Sequence, residues 1–163
     1  MIDLRILSFC TVLALTVTSA LAQETSLTFG EGASDPTLPV EVTSETLDVN
    51  QEDGSAEFKG NVVVIQGDMR LSADRVLVIY NEEKSAIERV EATGDVVLVS
   101  GPDEAEADKA DYTIESGVIV LTGNALLNQG PNTISSDKVT VNLATGTAQM
   151  VGRVKTILKT EQN

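Results

Sequence analysis

The sequence has no histidine and no tryptophan, and its single cysteine, Cys10, lies near the N-terminus. Without histidine there is no Ser-His-Asp or Cys-His nucleophile system. Histidine and cysteine are also the usual ligands of zinc, so a zinc site beyond residue 22 is not expected. The phosphate-binding pattern G-x-x-x-x-G-K-[ST] is absent as well. We therefore expect a protein that is not an enzyme and that needs neither a cofactor nor a metal.

Positive charge is also scarce, because 11 Lys and Arg stand against 25 Asp and Glu, for a net charge of −14. Nucleic-acid-binding surfaces need basic residues, so this balance argues against a nucleic-acid partner and against charge-driven attachment to anionic lipid headgroups. The densest acidic run, "DEAEAD" at 103–108, lacks the alternating Asp/Asn and the central Gly of a calcium loop. We expect a solvated acidic turn there.

The first 22 residues have the organisation of a secretory signal peptide. A short start with Arg5 precedes the apolar stretch 6–20, and "ALA" at 20–22 is a small-x-small cleavage site. We expect cleavage before Gln23. An uncleaved membrane anchor is the alternative, although the stretch contains Ser and Thr and is short for a span of ~20 residues.

The remainder divides by composition. Residues 23–38 are polar and punctuated by Gly and Pro, which predicts a flexible leader. Short β-rich runs begin at residue 39 and continue to 159, which predicts one domain, and 160–163 form a short tail.

The β-rich part repeats itself. One half-motif pairs a small or polar residue with an acid before alternating apolar positions, as in "ADRVLV" and "SDKVTV", and its acids are Glu45, Asp74, Asp108 and Asp137. The other begins with Gly, as in "GNVVVI" and "GDVVLV", and its glycines are Gly60, Gly94, Gly123 and Gly152. The acid-to-glycine distances are 15, 20, 15 and 15 residues, and an insertion of five residues near "NEEKSA" explains the one exception. Four two-strand units give about eight strands, the last of which ends in "RVKTILKT", and an opening strand at "LPVEV" precedes them. This pattern predicts an all-β, mostly antiparallel fold.

Alternation within the units indicates which residues face inward. The strands that carry the acids place inside Leu47, Val49, Val76, Val78, Tyr80, Ala110, Tyr112, Ile114, Val139, Val141 and Leu143. The strands that carry the glycines place inside Phe58, Val62, Val64, Val90, Val96, Leu98, Ile119, Leu121, Leu127, Met150 and Val154. The glycines share this inward parity, which predicts a bend or bulge in each strand, with Asn124 facing out.

The composition of this interior allows two interpretations. It is dominated by Val, Leu and Ile, and only four aromatic residues follow the signal peptide, namely Phe29, Phe58, Tyr80 and Tyr112. Slim side chains between two long sheets can leave an apolar groove, but the same pattern fits a fully packed core. The first and last strands have no obvious covering element, so both sheet edges are candidate docking sites for another strand. Lys155 and Lys159 near the last edge fit equally well as protective charges that keep this edge unpaired.

The strings "VVVIQGDMRLSADRVLVIY" and "VLTGNALLNQGPNTISSDKVTVNL" resemble the repeat of the OstA-like/LptA family of lipopolysaccharide-transport proteins. The resemblance runs from about Pro39 to Lys155, and "LTGNA" followed by "SDKVT" is its most specific part. It implies a V-shaped antiparallel β-jelly roll of two facing sheets, in the periplasm of a Gram-negative cell, that serves outer-membrane biogenesis without catalysis. It also implies head-to-tail self-association, an LptC-like inner-membrane partner at the N-terminal edge and an LptD-like outer-membrane partner at the C-terminal edge.

The same resemblance implies that lipopolysaccharide is the cargo, with its lipid A acyl chains held in the apolar groove. The family's lipid contacts carry over to Val40, Val42, Tyr80, Tyr112 and Ile114. We take these residues, together with the inward-facing set apart from Val90, Ala110 and Val154, as the predicted lipid-binding surface. The alternatives are a structural filament without cargo, resembling a β-solenoid, and a membrane-anchored relative of the same transport family. An enzyme or glycan-binding domain would need a cluster of acids or aromatics that the sequence does not offer.

Overall fold

The computed structural model describes residues 26–30, 35, 37–52, 54–83 and 85–158. The predicted signal peptide and the C-terminal tail lie outside these residues. Within them, no helix has the length and apolar character needed to cross a membrane. Eleven strands form in this part of the chain: β1 (Ser26–Thr28), β2 (Glu41–Thr43), β3 (Thr46–Asn50), β4 (Ser55–Gln66), β5 (Met69–Tyr80), β6 (Ile87–Ser100), β7 (Asp103–Thr113), β8 (Val118–Gln129), β9 (Asn132–Asn142), β10 (Thr147–Val151) and β11 (Lys155–Ile157).

The strands form one antiparallel sheet in the order β1-β10-β9-β8-β7-β6-β5-β4-β2, with β3 also paired to β4 and β11 also paired to β9. Strands that follow each other in sequence are mostly neighbours, because short turns join them as hairpins. The all-β fold predicted from the repeats is therefore confirmed. The two facing sheets expected from the family resemblance are two parts of one continuous sheet.

Each of the six long strands, β4 to β9, bends at its middle. The pairing register shifts there in every long hairpin, for example between Lys59 and Val62 and between Thr122 and Ala125. Three glycines of the repeat, Gly60, Gly94 and Gly123, lie at these shifts with positive φ of +80° to +83°, and Gly152, with φ of +82°, lies between β10 and β11. Positive φ is accessible to glycine because it has no Cβ, so the repeat's glycines allow the bend that the sequence predicts.

The bend line divides the sheet into two half-sheets. The first half-sheet contains β1, β3 and β10 with residues 55–59, 75–80, 87–93, 109–113, 118–122 and 138–142. The second contains β2 and β11 with residues 62–66, 69–73, 96–100, 103–107, 125–129 and 132–136. Apolar side chains from both half-sheets form a single buried cluster. The folded sheet thus has a closed side at the bend and a mouth where its turns approach one another.

Two expectations from the sequence need correction. The leader at 23–38 contains β1, which pairs with β10 from Ser26↔Gln149 to Thr28↔Thr147, and Phe29 beyond it is 1% exposed. The domain therefore begins before residue 39. The run "DEAEAD" is the start of β7 and not a solvated turn, because its alternate positions Asp103, Ala105 and Ala107 are buried. Alternation with small alanines was the signal for a strand, and the density of charge concealed it.

Candidate functional site

The interior between the half-sheets contains most of the predicted lipid-binding residues. Thirteen of them are buried there: Val62, Val64, Val76, Val78, Val96, Leu98, Tyr112, Ile119, Leu121, Leu127, Val139, Val141 and Leu143. Several, including Leu98, Ile119 and Leu121, have no accessible surface at all. A side chain without accessible surface has no water-sized space beside it, so the interior is filled around these residues in this conformation.

The other predicted lipid-binding residues lie toward the two ends of the interior. Val40, Val42, Phe58, Ile114 and Met150 are half-buried and pack against the core cluster. Leu47, Val49 and Tyr80 are exposed, at 51%, 64% and 36%. Val154, placed inside by alternation, is instead 52% exposed, because the chain has left β10 at that point and no strand of the described residues covers it.

An open apolar depression of about 470 Å³ lies at the N-terminal end of the sheet. It is lined by Leu47 and Val49 of β3, by Phe58 of β4 and by Tyr80 of β5. Because β3 is an edge strand, its inward side chains have a neighbour on one side only and remain exposed.

A second apolar depression, of about 680 Å³, lies at the C-terminal end. Met150, Val151, Val154 and Leu158 line it together with Leu27 of β1 and Ile134 of β9, among others. The large exposed apolar side chains of the described residues all lie at one end or the other: Leu38, Leu47, Val49, Ile65 and Tyr80 at the N-terminal end, and Val151, Val154, Ile157 and Leu158 at the C-terminal end. We call these two sets the N-terminal and C-terminal end surfaces.

The bend is built from the paired acids and glycines of the repeat. A Cβ added to Gly123 would lie 2.9 Å from Cβ and Cγ of Asp108, and Gly60, Gly94 and Gly152 meet Glu45, Asp74 and Asp137 in the same way. The residue after the glycine donates to that acid in three of the four units: Asn61 to Glu45, Asn124 to Asp108 at 3.0 Å, and Arg153 to Asp137. In the remaining unit, which is the second along the chain, the residue after the glycine is Asp95, an acid beside Asp74. The regular spacing in the sequence therefore reflects direct contacts across the bend.

At one of these contacts the charged form of the acid is favoured. The hydrogen bond from Arg153 holds the pKa of Asp137 below its ordinary value, since the guanidinium stabilises the carboxylate. Both side chains are exposed, so the pair contributes little to stability.

The mouth of the folded sheet is bridged by a hydrogen bond between the half-sheets. The Tyr112 hydroxyl in the first half-sheet donates to Oε1 of Gln66 in the second at 2.5 Å, and both side chains are buried. Burial raises the pKa of Tyr112 above its ordinary value, so the hydroxyl keeps its proton and remains a donor. Nε2 of Gln66 donates to the carbonyl oxygen of Leu38 at 2.9 Å.

Gln66 and Phe29 are functional candidates that the sequence predictions did not include. Gln66 was missed because a polar residue at the end of a strand usually marks a turn. Phe29 was missed because its neighbours are Gly and polar residues, although a lone phenylalanine in a polar segment was a signal that could have been used. Among the described residues, no group of three or more acids could hold a metal ion.

Comparison with known proteins assigns the family. The family model described as "LptA/(LptD N-terminal domain) LPS transport protein" matches residues 41–147, which is more than half of the chain. An uncharacterized protein of Rhizobium meliloti (strain 1021) is 31% identical over 116 residues, or 67% of this chain, and the match spans only 59% of that relative's length.

A solved structure supports the fold. The chain is similar to LptH, the LptA homologous periplasmic component of the conserved lipopolysaccharide transport device from Pseudomonas aeruginosa, with a TM-score of 0.69 and 19% identity. The similarity covers 78% of this chain and 99% of that one. The folded antiparallel sheet, the repeat and the family match agree, and the chain belongs to the LptA/(LptD N-terminal domain) family of LPS transport proteins.

Proposed function

We propose that this chain is a periplasmic carrier of lipopolysaccharide that shields lipid A acyl chains between its two half-sheets. The observation that carries the proposal is a continuous apolar interior that ends in an apolar depression at each sheet edge, in a member of an LPS transport family.

The free energies involved require such shielding. Each acyl CH₂ removed from water is worth about 0.8 kcal/mol, so exposing a chain of ~14 carbons costs about 10 kcal/mol. An interior of Val, Leu, Ile and Ala offers no strong directional ligand, which suits a carrier that must also release its cargo. The net charge of −14 repels lipid phosphates, so the sugar-phosphate headgroup is expected to project into water.

Because the interior is filled in this conformation, cargo must part the half-sheets. The bend line is the natural hinge for this motion, since its glycines with positive φ, such as Gly94 and Gly123, interrupt the regular pairing. Opening at the mouth would expose Tyr112 and the flanking valines and leucines to an acyl chain.

Head-to-tail association would make this interior continuous between copies. The second half-sheet ends in β2 on one side and β11 on the other, both short and exposed edge strands. Glu41 lies on the first edge and Lys155 on the second, so successive copies would bring opposite charges together. In the cell we expect an LptC-like protein at the N-terminal end surface and an LptD-like protein at the C-terminal end surface.

Site-specific photocrosslinking tests the carrier. A photoreactive amino acid at Tyr112 or Val42 should crosslink to lipopolysaccharide, whereas the same group at Asn124, which is exposed on the outside of the bend, should not. Equal crosslinking at Asn124, or none at any inward position, would count against an internal lipid site.

A second experiment separates the carrier from a structural filament without cargo. Ile114 is half-buried beside the core, and Ile114→Asp should abolish crosslinking at Tyr112 while the protein still self-associates. In sedimentation experiments, Lys155→Glu should weaken self-association and the added change Glu41→Lys should restore it. A filament that assembles normally but never crosslinks lipid would favour the scaffold.

A further inference from the structure

The segment Leu27–Gly30, which we call the plug, crosses the mouth of the folded sheet. Its Phe29 N–H donates to the carbonyl oxygen of Gly146 at 2.9 Å, in the turn between β9 and β10 of the first half-sheet. The next residue, Gly30, donates its N–H to Oδ2 of Asp103 at 2.8 Å, at the tip of the second half-sheet. Two consecutive residues thus join the free ends of both half-sheets.

The second half-sheet provides the acceptor for this contact through the buried side chain of Asp103. Asp103 is buried, and its Oδ2 also accepts a hydrogen bond from Nε2 of Gln129 at 3.0 Å. Gln129 donates to the carbonyl oxygen of Thr28 as well. Gly30 has φ of +75°, and a Cβ there would lie 3.1 Å from Cβ of Ser100, so only glycine fits this approach.

Phe29 fills apolar space that the proposed cargo would need. Its side chain is 1% exposed and belongs to the same buried cluster as the predicted lipid-binding residues. Of the aromatic residues in the described part of the chain, Phe58 and Tyr80 line the depression at the N-terminal end, whereas Phe29 and Tyr112 are fully buried. The phenyl ring of Phe29 therefore occupies part of the apolar cluster that an acyl chain would have to enter.

The plug also occupies a sheet edge. Its strand β1 has three residues and covers β10, so β10 has no free edge and β1 is the outer strand of the first half-sheet, whereas β11 is the exposed outer strand of the second half-sheet. A three-residue edge strand contributes few hydrogen bonds, so β1, like β2 and β11, is among the strands that are most easily released.

From these contacts we propose that Leu27–Gly30 is an autoinhibitory plug that must leave the mouth before acyl chains enter between the half-sheets. The proposal rests on the carrier function proposed above. While the plug is closed, Phe29 and the Gly146 and Asp103 hydrogen bonds hold the half-sheets together. Release frees the mouth and exposes the edge of β10 at the same time, which couples loading to the availability of β10 as a docking strand. The apparent affinity for lipid is then the intrinsic affinity reduced by the fraction of molecules with the plug released.

A reversible crosslink tests the plug directly. Thr28 and Thr147 lie opposite each other in β1 and β10, and because the Phe29–Gly146 pair is hydrogen-bonded, the adjacent Thr28–Thr147 pair is the close, non-hydrogen-bonded kind. Such pairs have Cα atoms about 4.5 Å apart, within the range for a disulfide. In a Cys10→Ser background, Thr28→Cys with Thr147→Cys should therefore lock the plug when oxidised and leave it free when reduced.

BODIPY-labelled lipid A is the probe, and its binding is followed by fluorescence anisotropy. The oxidised pair should bind at least about tenfold more weakly than the reduced pair. The matched control is Thr140→Cys with Gln149→Cys, which joins β9 to β10 within the first half-sheet and should bind equally in both redox states. Phe29→Ala should bind about tenfold more tightly than the parent chain, because truncating the buried ring raises the released fraction. Phe58→Ala removes the same ring from the depression at the N-terminal end, where Phe58 belongs to the predicted lipid-binding surface, so this variant should bind no more tightly than the parent chain.

The outcomes are distinct. Equal binding by the oxidised and reduced plug pair would overturn the plug and leave the carrier function intact. A gain for Phe58→Ala equal to that for Phe29→Ala would attribute the effect to general loosening of the core and would also overturn the plug. Absence of binding in every form, including the reduced pair and Phe29→Ala, would remove the carrier function and the plug with it.

Discussion

The contact between Gly123 and Asp108 gives the sharpest test of how the sheet bends. Replacement of Gly123 by alanine places a Cβ 2.9 Å from Cβ and Cγ of Asp108, at a residue with φ of +83°. The left-handed backbone alone costs a residue other than glycine about 1–2 kcal/mol. Relief of the overlap requires Asp108 to move, which endangers its hydrogen bond with Asn124, worth about 1 kcal/mol. We expect Gly123→Ala to lower the free energy of unfolding by about 2–4 kcal/mol.

Gly130 provides the matched control. It also has positive φ, +53°, but a Cβ there would meet no atom within 4 Å. Gly130→Ala should therefore show the backbone cost alone, about 1–2 kcal/mol. The difference between the two variants, about 1–2 kcal/mol, measures the close approach at the bend.

Urea unfolding followed by far-ultraviolet circular dichroism measures both variants, and their m values should be equal if the same surface is exposed on unfolding. Asp108→Ala added to Gly123→Ala should recover part of the loss, with a coupling free energy of about 1 kcal/mol. If Gly123→Ala and Gly130→Ala lower the free energy of unfolding equally, the close approach of Asp108 does not require a glycine at position 123. The regular spacing of acids and glycines would then not reflect contacts across the bend.

Three further predictions concern single hydrogen bonds. Tyr112→Phe should lower the free energy of unfolding, measured in urea, by about 1–3 kcal/mol, because it removes the buried donor to Gln66. The control Tyr80→Phe, at an exposed tyrosine, should leave the free energy of unfolding almost unchanged, and similar losses for both variants would exclude a bridge between the half-sheets. Asp95→Asn should raise the urea midpoint, because it supplies beside Asp74 the amide donor that Asn61 and Asn124 supply in their units; an unchanged midpoint would contradict this. Arg153→Gln should raise the pKa of Asp137, measured by NMR, toward its ordinary value of 3.8, because it removes the charged donor, and an unmoved pKa would show that the pair is not formed in solution. Since the folded-state pKa is lowered, the stabilisation by this pair is present above pH ~4 and disappears as the pH falls through the lower folded value.

The repeat carried much of the fold in a form that can be read from the sequence. Acids and glycines at a fixed spacing marked the bend, and the structure brings each pair, such as Asp108 and Gly123, into contact. Alternation placed Val62, Leu98 and Ile119 inside because one face of each strand is buried. β1 was not predictable in this way, because its three residues "SLT" show too short a pattern, and their partner strand is more than a hundred residues away.

The predicted lipid-binding set shows that alternation along a strand does not predict how deeply each residue is buried. Alternation gives Leu121 and Leu47 the same inward parity, yet Leu121 is fully buried and Leu47 is 51% exposed, because only the order of strands decides which is central and which is an edge. The parity of Phe58 and Val62 likewise does not reveal whether the half-sheets lie apart or together.

The sequence by itself determined the strand count to within two, the inward face of the long strands, the position of the bend and the family, since these depend on local period and on residues with special backbone freedom. The tertiary structure alone decided that the sheet is continuous, that its interior is filled, and that Tyr112 and Phe29 reach across the mouth. Those features depend on the packing of residues distant in sequence, where the burial of Phe29 against both half-sheets outweighs the turn-forming tendency of its neighbours.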